Sequence, residues 1–533
     1  MEIKRVAIYG TGSTATMFMV PRYPSKMALG DSLRSTLDHD KLNYGRSLPV
    51  YEKAMRPTLK NSVNLALITA LGLALRLAFL GHRSLYLDEA WSFTAASLGP
   101  AELLSAVAHQ DAHPPLYYMV LSAFLILGNG EFAIRLPSAI FGTLTIPLAY
   151  WLGRRFLGER AGLLAAFLLA ISPMHVRYSQ EARMYALLAF LALSSLALLL
   201  RAIEEGGRAL WALYGLSAAL CLHTHYIAPF FLLAEGALVL WIEMRRGRLE
   251  IPRGFLLAGA GALASFAPWA YFALMNQYQR TQLMETPLWL GLVRILAHFS
   301  YFFPVTRRDL LGWMAPSAYA LYIPSLLICS LLALRGFIAA RGDWFRAVVC
   351  WLFAPPIAAF LILYLIAHVR PYRSVYYLFE LPVFLCLAAD GLLKFPKRKA
   401  LASILLAFLT ASYGFANAIN YQTEAEDWRA AAAFVVANSA RGDAIAFDRP
   451  WTRMPFDYYA GGSNLSYVGL DRLSAEYGDY GRIWMIVAHY GDPDSSDAKR
   501  FLDRHCERIG AWRFAGWNSD IWIYLYVPPP RAR

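Results

Sequence analysis

The sequence predicts a mainly α-helical membrane protein, with a bundle of about eleven transmembrane helices and a small α/β domain at the carboxyl end. Of the 533 residues, 58% are hydrophobic and only 16% are charged, which is too apolar for an ordinary soluble protein. Apolar stretches close to the ~20 residues needed to cross a bilayer recur from Asn61 to Asn420. After Asn420 the charge is near balance and short apolar stretches typical of strands follow.

The formal net charge is +13, and the distribution of the basic residues explains it. Lys and Arg collect in short loops between apolar stretches, as at Arg154-Arg155, Arg245 to Arg248 and Lys394 to Lys399. Such loops mark the cytoplasmic side of a membrane, so the charge reports topology and no nucleic-acid partner is expected. Four of the five cysteines lie in apolar stretches, which predicts neither a disulfide framework nor a Cys-based metal site.

Residues 1–60 are basic and show no helical or strand period. The run Gly10 to Ala15 resembles part of a dinucleotide-binding fingerprint, but Pro21 and Pro24 interrupt the helix that this fingerprint needs. We therefore expect residues 1–60 to be either a cytoplasmic N-terminal extension or the result of a misassigned translation start, without a cleavable signal peptide.

The transmembrane domain is predicted over residues 61–420, in the plasma (inner) membrane, with a cytoplasmic amino terminus. Every inward loop except Glu204 to Arg208 is clearly basic, which supports the direction assigned to each span. An odd number of spans places the carboxyl end outside. The predicted spans are Ser62–Leu80, Phe132–Leu152, Ala161–Ile171, Met184–Ala202, Ala209–Leu222, Ile227–Met244, Gly254–Met275, Pro316–Leu334, Val348–Ala367, Val375–Leu393 and Leu401–Ile419.

Two further regions complete the predicted architecture. The first outer loop, residues 84–128, should hold two interfacial helices, one that ends near Gly99-Pro100 and one over Leu116 to Leu127, which is too short to cross comfortably. Residues 421–533 should form an extracytoplasmic α/β domain. Its predicted helix and strands are Trp428–Asn438, Ala444–Phe447, Arg482–Ala488 and Ile521–Val527.

The unusual polar residues all fall on the outer side of this topology. Because ionisable groups at membrane depth are costly, their convergence on one face predicts a shared cavity. They are Asp88, Glu89, Asp111 and His113, the segment His175 to Tyr185 with Arg177, Tyr178, Glu181, Arg183 and Tyr185, and then His223, His225, Arg370 and Arg373.

Each of these residues also has a purely structural interpretation, and both interpretations stay open. Asp88 is either a helix N-cap or a catalytic carboxylate. Glu181 would share a helix face with Met184 and Tyr185, or it lies in a solvated loop at a helix start. Four arginines suit a phosphate or pyrophosphate, because guanidinium presents a planar fork to paired oxygens, but they equally suit anionic lipid headgroups. They are Arg177, Arg183, Arg370 and Arg373.

His113 precedes two prolines and is thereby held on an extended backbone. With Asp88 or Asp111 it could complete a site for a divalent metal, although the spacing matches no fixed metal motif. His223 and His225 stand two residues apart, which is poor geometry for one helix face and a weak indication of metal.

Five sequence motifs follow one another along the chain, namely Leu85–Trp91, His113–Tyr118, Glu131–Ser138, Tyr178–Tyr185 and Glu426–Arg429. They resemble motifs of the bacterial membrane glycosyltransferases of the dolichyl-phosphate-mannose protein mannosyltransferase type, which have the GT-C fold and include the lipid A aminoarabinose transferase. The first four motifs, in this order, are specific in combination.

The resemblance implies a polyprenyl-phosphate sugar donor and an essential acidic residue in the first outer loop. Asp88 matches that residue, and Glu181 matches the second acidic position. His113 falls where the aminoarabinose transferase has a metal-coordinating glutamate before a Lys-Pro pair, but here Pro114-Pro115 follows. The acceptor would be a hydroxyl of a lipid, a glycan or a protein.

These residues lead to one preferred function and two alternatives. Asp88 would act as general base in an inverting transfer, with Glu181 orienting a substrate. Substrate contacts are expected from Glu89, His113, Tyr178, Arg183, Tyr185, His225, Arg370 and Arg373. The alternatives are a transporter or flippase of lipid-linked glycans, disfavoured by the absence of an evident sequence repeat, and an enzyme that transfers whole oligosaccharides or polymers.

Overall fold

The computed structural model describes residues 58–529, with gaps at residues 112, 248–249, 278–287, 303–314, 341, 360, 363–372, 396–398, 462–464 and 490–492. Nearly all of the predicted N-terminal extension, and Arg370, therefore lie outside the described residues.

Helices dominate the described chain up to residue 422, and we number them in chain order. The predicted first outer loop, residues 84–128, contributes α2 to α4. The helices are α1 (Leu59–Leu77), α2 (Leu87–Ala96), α3 (Pro100–Gln110), α4 (Leu116–Phe124), α5 (Glu131–Leu157), α6 (Glu159–Ile171), α7 (Pro173–Ser179), α8 (Tyr185–Glu205), α9 (Arg208–Leu222), α10 (Ala228–Arg245), α11 (Arg253–Gln277), α12 (Leu288–Ser300), α13 (Ala315–Ala339), α14 (Gly342–Ala359), α15 (Leu381–Leu393) and α16 (Lys399–Gln422).

Several of these helices suit a membrane. Within the described residues, six segments are long and apolar enough to cross it, namely α5, α8, α11, α13, α16, and α15 together with the 3₁₀ turn Ser374–Glu380. The bent pair α6 and α7 would make a seventh. The predicted count of eleven stays a prediction, because α9 has only 15 residues and α10 carries Glu235, Glu243 and Arg245.

A bend of 57° separates α6 from α7. Pro173 occupies the first position of α7 and disfavours a helical backbone at Ser172, whose φ is −57° and ψ is 122°. The chain therefore turns where α6 ends. All seven residues of α7 are buried, so the bend directs polar side chains into the protein instead of into lipid.

Helices α13 and α15 approach each other closely through glycines. A Cβ added to Gly336 would overlap the carbonyl oxygen of Leu387, and one added to Gly391 would overlap the carbonyl oxygen of Leu332. Small residues allow helix backbones to pack at this distance in a membrane. This contact joins the last part of the bundle to its core.

The first outer loop differs from its prediction. It holds three helices, α2, α3 and α4, where two were expected, and the short 3₁₀ turn Leu125–Leu127 continues α4. The additional helix is α3, which begins at Pro100. Proline is favoured at the first helical position, where its missing N–H has no intrahelical partner to lose, so Gly99-Pro100 starts a helix as well as ending the preceding segment.

The C-terminal region is a five-stranded sheet with helices on both faces. Its predicted helix and two of its strands have the expected bounds, while the strand β3 begins one residue late and the strands β2 and β4 were not predicted. The elements are α17 (Trp428–Asn438), β1 (Ala444–Phe447), α18 (Arg453–Ala460), β2 (Ser466–Tyr467), α19 (Leu470–Glu476), β3 (Ile483–Ala488), α20 (Asp497–His505), β4 (Glu507–Phe514) and β5 (Ile521–Val527).

The strand order is β2-β1-β3-β5-β4, with β1 parallel to β2 and β3, and β5 antiparallel to β3 and β4. Every residue of β1 and β3 is buried, because helices cover both faces, and the strands are therefore continuously apolar. Ala488 at the end of β3 pairs with Ile521 at the start of β5. The residues that follow β1 and β3 and those that precede β5 therefore share one edge of the sheet.

Candidate active site

Asp88 lies in the first turn of α2, at its second residue. The N-cap of this helix is Tyr86 and makes no side-chain capping bond, so the interpretation of Asp88 as the cap is wrong. Its carboxylate is partly exposed and accepts no hydrogen bond from any residue in the described part of the chain, whereas its carbonyl oxygen accepts one from Ser92 Oγ at 2.9 Å. The positive end of the helix dipole favours a carboxylate there.

Glu89 points away from solvent and is only 1% exposed. Its two oxygens accept hydrogen bonds of 2.7 Å from Nε and Nη2 of Arg135, and Oε1 also accepts one of 2.8 Å from the backbone N–H of Ala182. Arg135 also donates to the carbonyl oxygens of Leu80, Arg83 and Ser84. This pair ties the outer loop to α5 and to the segment that precedes α8, and its oxygens are occupied.

Glu181 is buried beside Asp88's helix. Its Oε1 accepts from Arg177 Nε at 2.9 Å, and its Oε2 accepts from the hydroxyl of Tyr86 at 3.2 Å. Burial raises the pKa of Glu181, Arg177 opposes this effect, and the charge of Glu89 adds to it. The charges of both Asp88 and Glu181 act on the Tyr86 hydroxyl, so these carboxylates flank one residue.

The backbone between Gln180 and Met184 is not helical, because α7 ends at Ser179 and α8 begins at Tyr185. The expectation that Glu181 and Tyr185 share one helix face is therefore wrong. A tight contact, from the Arg183 N–H to the Glu181 carbonyl oxygen at 2.7 Å, replaces the helical hydrogen bonds. Helical spacing therefore does not relate the directions of the Glu181 and Tyr185 side chains.

Arg183 connects the outer-loop helices. Its Nη1 donates to the Asp88 carbonyl oxygen at 3.1 Å, to Ser92 Oγ at 3.3 Å and to the Tyr118 hydroxyl at 3.4 Å. Its Nη2 lies 3.3 Å from Nδ1 of His113. The guanidinium is 3% exposed and its cationic charge lies directly under the first turn of α2.

Asp111 is one of the polar residues that the sequence predicts in the shared cavity. It accepts hydrogen bonds from the Tyr118 hydroxyl and from Trp91 Nε1 at 2.6 Å, and His113 Nδ1 lies 3.0 Å away. Burial alone would raise the pKa of Asp111, but His113 and Arg183 hold it below its ordinary value. Asp111 therefore stays ionised and, by accepting from Nδ1, orients the His113 ring.

Aromatic rings line the opposite side of this cluster. The ring centroid of His225 lies 5.0 Å from that of His113, 6.1 Å from that of Tyr185 and 4.9 Å from that of Tyr376. Tyr178 packs on Tyr185 at 5.8 Å. The predicted residues of three separate segments therefore form one aromatic wall.

The protonation of His225 follows from its hydrogen bonds. Its Nδ1 accepts from the N–H of Ile227 at 3.0 Å, so the proton resides on Nε2. Burial lowers the pKa of His225 far below its ordinary value, and the charges of His113 and Arg183 add to the effect. The buried Nε2–H has no partner among the described residues, which leaves it able to donate a hydrogen bond to a ligand.

Arg373 is exposed and lies within electrostatic reach of Asp88 and Tyr185. It is thus placed at the open side of the cluster, whereas Arg183 is enclosed. His223, in contrast, packs edge-on against Phe266 at 5.4 Å and belongs to the helix packing around α11.

The divalent-metal site considered for His113 does not fit its surroundings. The Nδ1 of His113 already faces Asp111, and the Arg183 guanidinium lies 3.3 Å from the same atom. A divalent cation beside a buried arginine would meet strong repulsion. The described residues also contain no group of three or more His, Cys, Asp or Glu side chains suited to a metal ion.

Comparisons with known proteins concern the fold and the central segment of the chain. Residues 112–272 match the family model described as dolichyl-phosphate-mannose-protein mannosyltransferase. No curated protein sequence matches the chain.

The solved structures that resemble the chain include two of ArnT from Cupriavidus metallidurans. The apo form has a TM-score of 0.54 and 13% identity, over 87% of this chain and 98% of that chain. The form bound to undecaprenyl phosphate has a TM-score of 0.52 and 15% identity, over 86% and 97%. The chain therefore has the GT-C fold of the membrane glycosyltransferases, as its motifs predict, and its central segment matches the mannosyltransferase family model.

Proposed function

We propose that this protein transfers a sugar from a polyprenyl-phosphate donor to a hydroxyl acceptor at the outer face of the membrane. The observation that carries the proposal is the Asp88 carboxylate. It is partly exposed and accepts no hydrogen bond from the described residues, while Glu89, Asp111 and Glu181 around it are all engaged. A carboxylate kept available in this way suits a general base.

In the proposed reaction, Asp88 accepts the proton of the acceptor hydroxyl while the hydroxyl oxygen attacks the anomeric carbon. The bond between this carbon and the phosphate oxygen of the donor breaks, and polyprenyl phosphate leaves with the bonding electron pair. One direct displacement inverts the anomeric centre. No residue has to form a covalent intermediate.

The leaving phosphate needs positive charge close to the membrane surface. We assign this role to Arg373, because it is exposed, and to Arg370, which lies outside the described residues. Arg183 is enclosed by Asp88, Ser92, Tyr118 and His113, so we assign it the positioning of α2. A lipid phosphate is a reasonable ligand, since an ArnT of the same fold is described as bound to undecaprenyl phosphate.

Tyr178, Tyr185 and His225 are proposed to contact the sugar. Aromatic faces pack against sugar rings, and the unpaired Nε2–H of His225 can donate to a sugar hydroxyl. His113 and Glu89 are proposed to position other groups. Asp111 orients the His113 ring, and Arg135 holds the Glu89 carboxylate. Glu181, bonded to Arg177, would orient the substrate.

A transporter of lipid-linked glycans is the alternative, and it requires substrate groups near the middle of the membrane. The polar residues named above instead gather around α2, in the loop between two predicted spans. We therefore prefer the enzyme.

The test replaces Asp88 with Asn in protein purified in lipid, with an undecaprenyl-phosphate sugar as donor. General base catalysis typically contributes 10²- to 10⁴-fold, so we expect the transfer rate to fall by about this factor. Asp471→Asn is the matched control, because Asp471 is also the second residue of its helix, after a leucine, and is exposed. Full activity of the Asp88 variant would exclude the general-base role.

A further inference from the structure

The first turn of α2 is also held by a residue of the C-terminal region, Glu426, which directly precedes Asp427 and α17. The Glu426 side chain is fully buried, and its Oε2 accepts hydrogen bonds from the backbone N–H of Leu87 at 3.1 Å and from Trp428 Nε1 at 2.8 Å. Leu87 directly precedes Asp88. A carboxylate of the C-terminal region therefore fixes the backbone next to the proposed base.

The other oxygen of Glu426 faces the edge of the C-terminal sheet. Oε1 accepts from Asn518 Nδ2 at 2.6 Å and lies 3.3 Å from Nε2 of His489. Both residues occupy the edge at which β3 ends and β5 begins, because Ala488 pairs with Ile521. The sheet thus presents an imidazole to the carboxylate that holds α2.

The backbone of His489 has a φ of +65°, in the left-handed region that disfavours residues with a Cβ. Its N–H donates to Ser519 Oγ at 2.8 Å, which fixes this conformation. Unfavourable backbone conformations tend to be retained where a side chain has to point in one direction. Here that direction is toward Glu426.

We propose that His489 is a positioning residue for Asp88: its imidazolium neutralises the buried Glu426 carboxylate, which in turn holds the first turn of α2 through the Leu87 N–H. The C-terminal region thereby forms part of the site. This inference rests on the proposed function only in taking Asp88 as the reacting group.

The charges that face His489 come from three segments, namely Glu426 before α17, Asp88 in α2 and Arg449 after β1. Burial and Arg449 oppose protonation, but Glu426 and Asp88 outweigh them and raise the pKa of His489 above its ordinary value. The ion pair is therefore complete below about pH 6.5 and is lost as the pH rises through the elevated pKa. The hold on α2 should weaken under alkaline conditions.

Hydrogen exchange of the full-length protein in lipid nanodiscs tests this directly, through peptides that cover residues 84–92. After correction for the intrinsic exchange rate, the wild-type segment should exchange about tenfold faster at pH 9 than at pH 6, as expected for loss of one charge-assisted contact. Asn tolerates the left-handed backbone but carries no charge, so residues 84–92 of the His489→Asn variant should exchange fast at both pH 6 and pH 9. His489→Lys keeps a cation and should exchange slowly at both.

His505→Asn is the matched control, because His505 lies in the same region, is exposed and stacks on Phe501 at 4.3 Å. It should behave as the wild type does. Either of two results overturns the positioning role. One is wild-type protection of residues 84–92 at pH 6 in His489→Asn, and the other is loss of this protection at pH 6 in His489→Lys.

The pH profile of kcat/KM supplies the second readout. We expect the wild-type activity to decline on the alkaline side, and this decline to disappear in His489→Lys. An unchanged alkaline decline in both His489 variants would contradict the proposal. If no sugar transfer occurs at all, the proposed function fails, whereas the exchange measurement still decides whether His489 holds α2.

Discussion

The pair Glu89 and Arg135 allows a sharp test of how the outer loop is held. Replacing Glu89 with Ala removes three hydrogen bonds, two from Arg135 and one from the Ala182 N–H. It also leaves the guanidinium, 1% exposed, without its counter-charge. Breaking one partner of a buried ion pair costs about 3–5 kcal/mol, so we expect the free energy of unfolding to fall by this amount.

The measurement is equilibrium unfolding in mixed micelles, with the pair Arg201 and Glu205 as the matched control. That pair has the same two-pronged geometry, with bonds of 2.8 and 2.9 Å, but its side chains are 47% and 40% exposed. Glu205→Ala should therefore cost no more than about 0.5 kcal/mol. The comparison isolates burial, because the contacts removed between the partners are alike.

The same variant separates a positioning role from substrate contact. If Glu89 holds α2, Glu89→Ala should lower stability strongly and lower kcat more than it raises the donor KM. A variant with wild-type stability and a raised KM would refute the reasoning and return Glu89 to the substrate-binding residues that its position in the motif suggested.

Two further predictions concern a titrating carboxylate and a helix contact. Asp111→Asn should lower stability by about 1.5–3 kcal/mol near neutral pH, since an ionised acceptor is lost. Because folding lowers the pKa of Asp111, the difference in stability between the wild type and Asp111→Asn should shrink as the pH falls below about 4. Asp497→Asn is the control: its side chain is 95% exposed, so its effect on stability should be small at every pH. Gly391→Ala should lower the free energy of unfolding by about 1–3 kcal/mol, because the added methyl group overlaps the Leu332 carbonyl oxygen. Gly414→Ala is the control and should not destabilise the protein, because Gly414 has open space around it. Equal effects of the two variants in thermal unfolding would contradict the close packing.

Local sequence patterns predicted the elements that depend on local physics. The strands Ala444–Phe447 and Ile521–Val527 are continuous apolar runs between turn residues, and their bounds are as predicted. The helix Trp428–Asn438 was also predicted correctly, and Asp427 caps it by accepting from the Ala430 N–H. Composition and periodicity were sufficient here, because each element buries its apolar face in the sheet core.

The missed features depend on context that a pattern does not contain. Pro100 can end one segment or begin the next, and only the structure distinguishes these uses. The helix break after Ser179 follows from burial of polar groups: Gln180 donates to the carbonyl oxygens of Leu75, Arg76 and Ala78, which lie a hundred residues earlier in the chain. No spacing rule finds such partners.

The same limit applies to the site. The acidic residues could be selected from the sequence, but their individual roles could not, because Arg135 lies 46 residues from Glu89 and Glu426 lies 339 residues from Leu87. His489 was missed entirely. Its only local signal is a histidine directly after a predicted strand, and its role follows only from the structure, in which Glu426 contacts both His489 and the Leu87 N–H.

The distribution of partners among four acidic residues supports one assignment of roles. Glu89 is committed to Arg135, Glu181 to Arg177 and Tyr86, and Asp111 to Trp91, Tyr118 and His113. Each of these carboxylates has its oxygens occupied by groups that hold the loop, so proton transfer at any of them would disrupt the packing. Of the four, only Asp88 has a carboxylate that accepts no hydrogen bond from the described residues. A general base must exchange protons without loss of structure, and for this reason we propose Asp88 for that role.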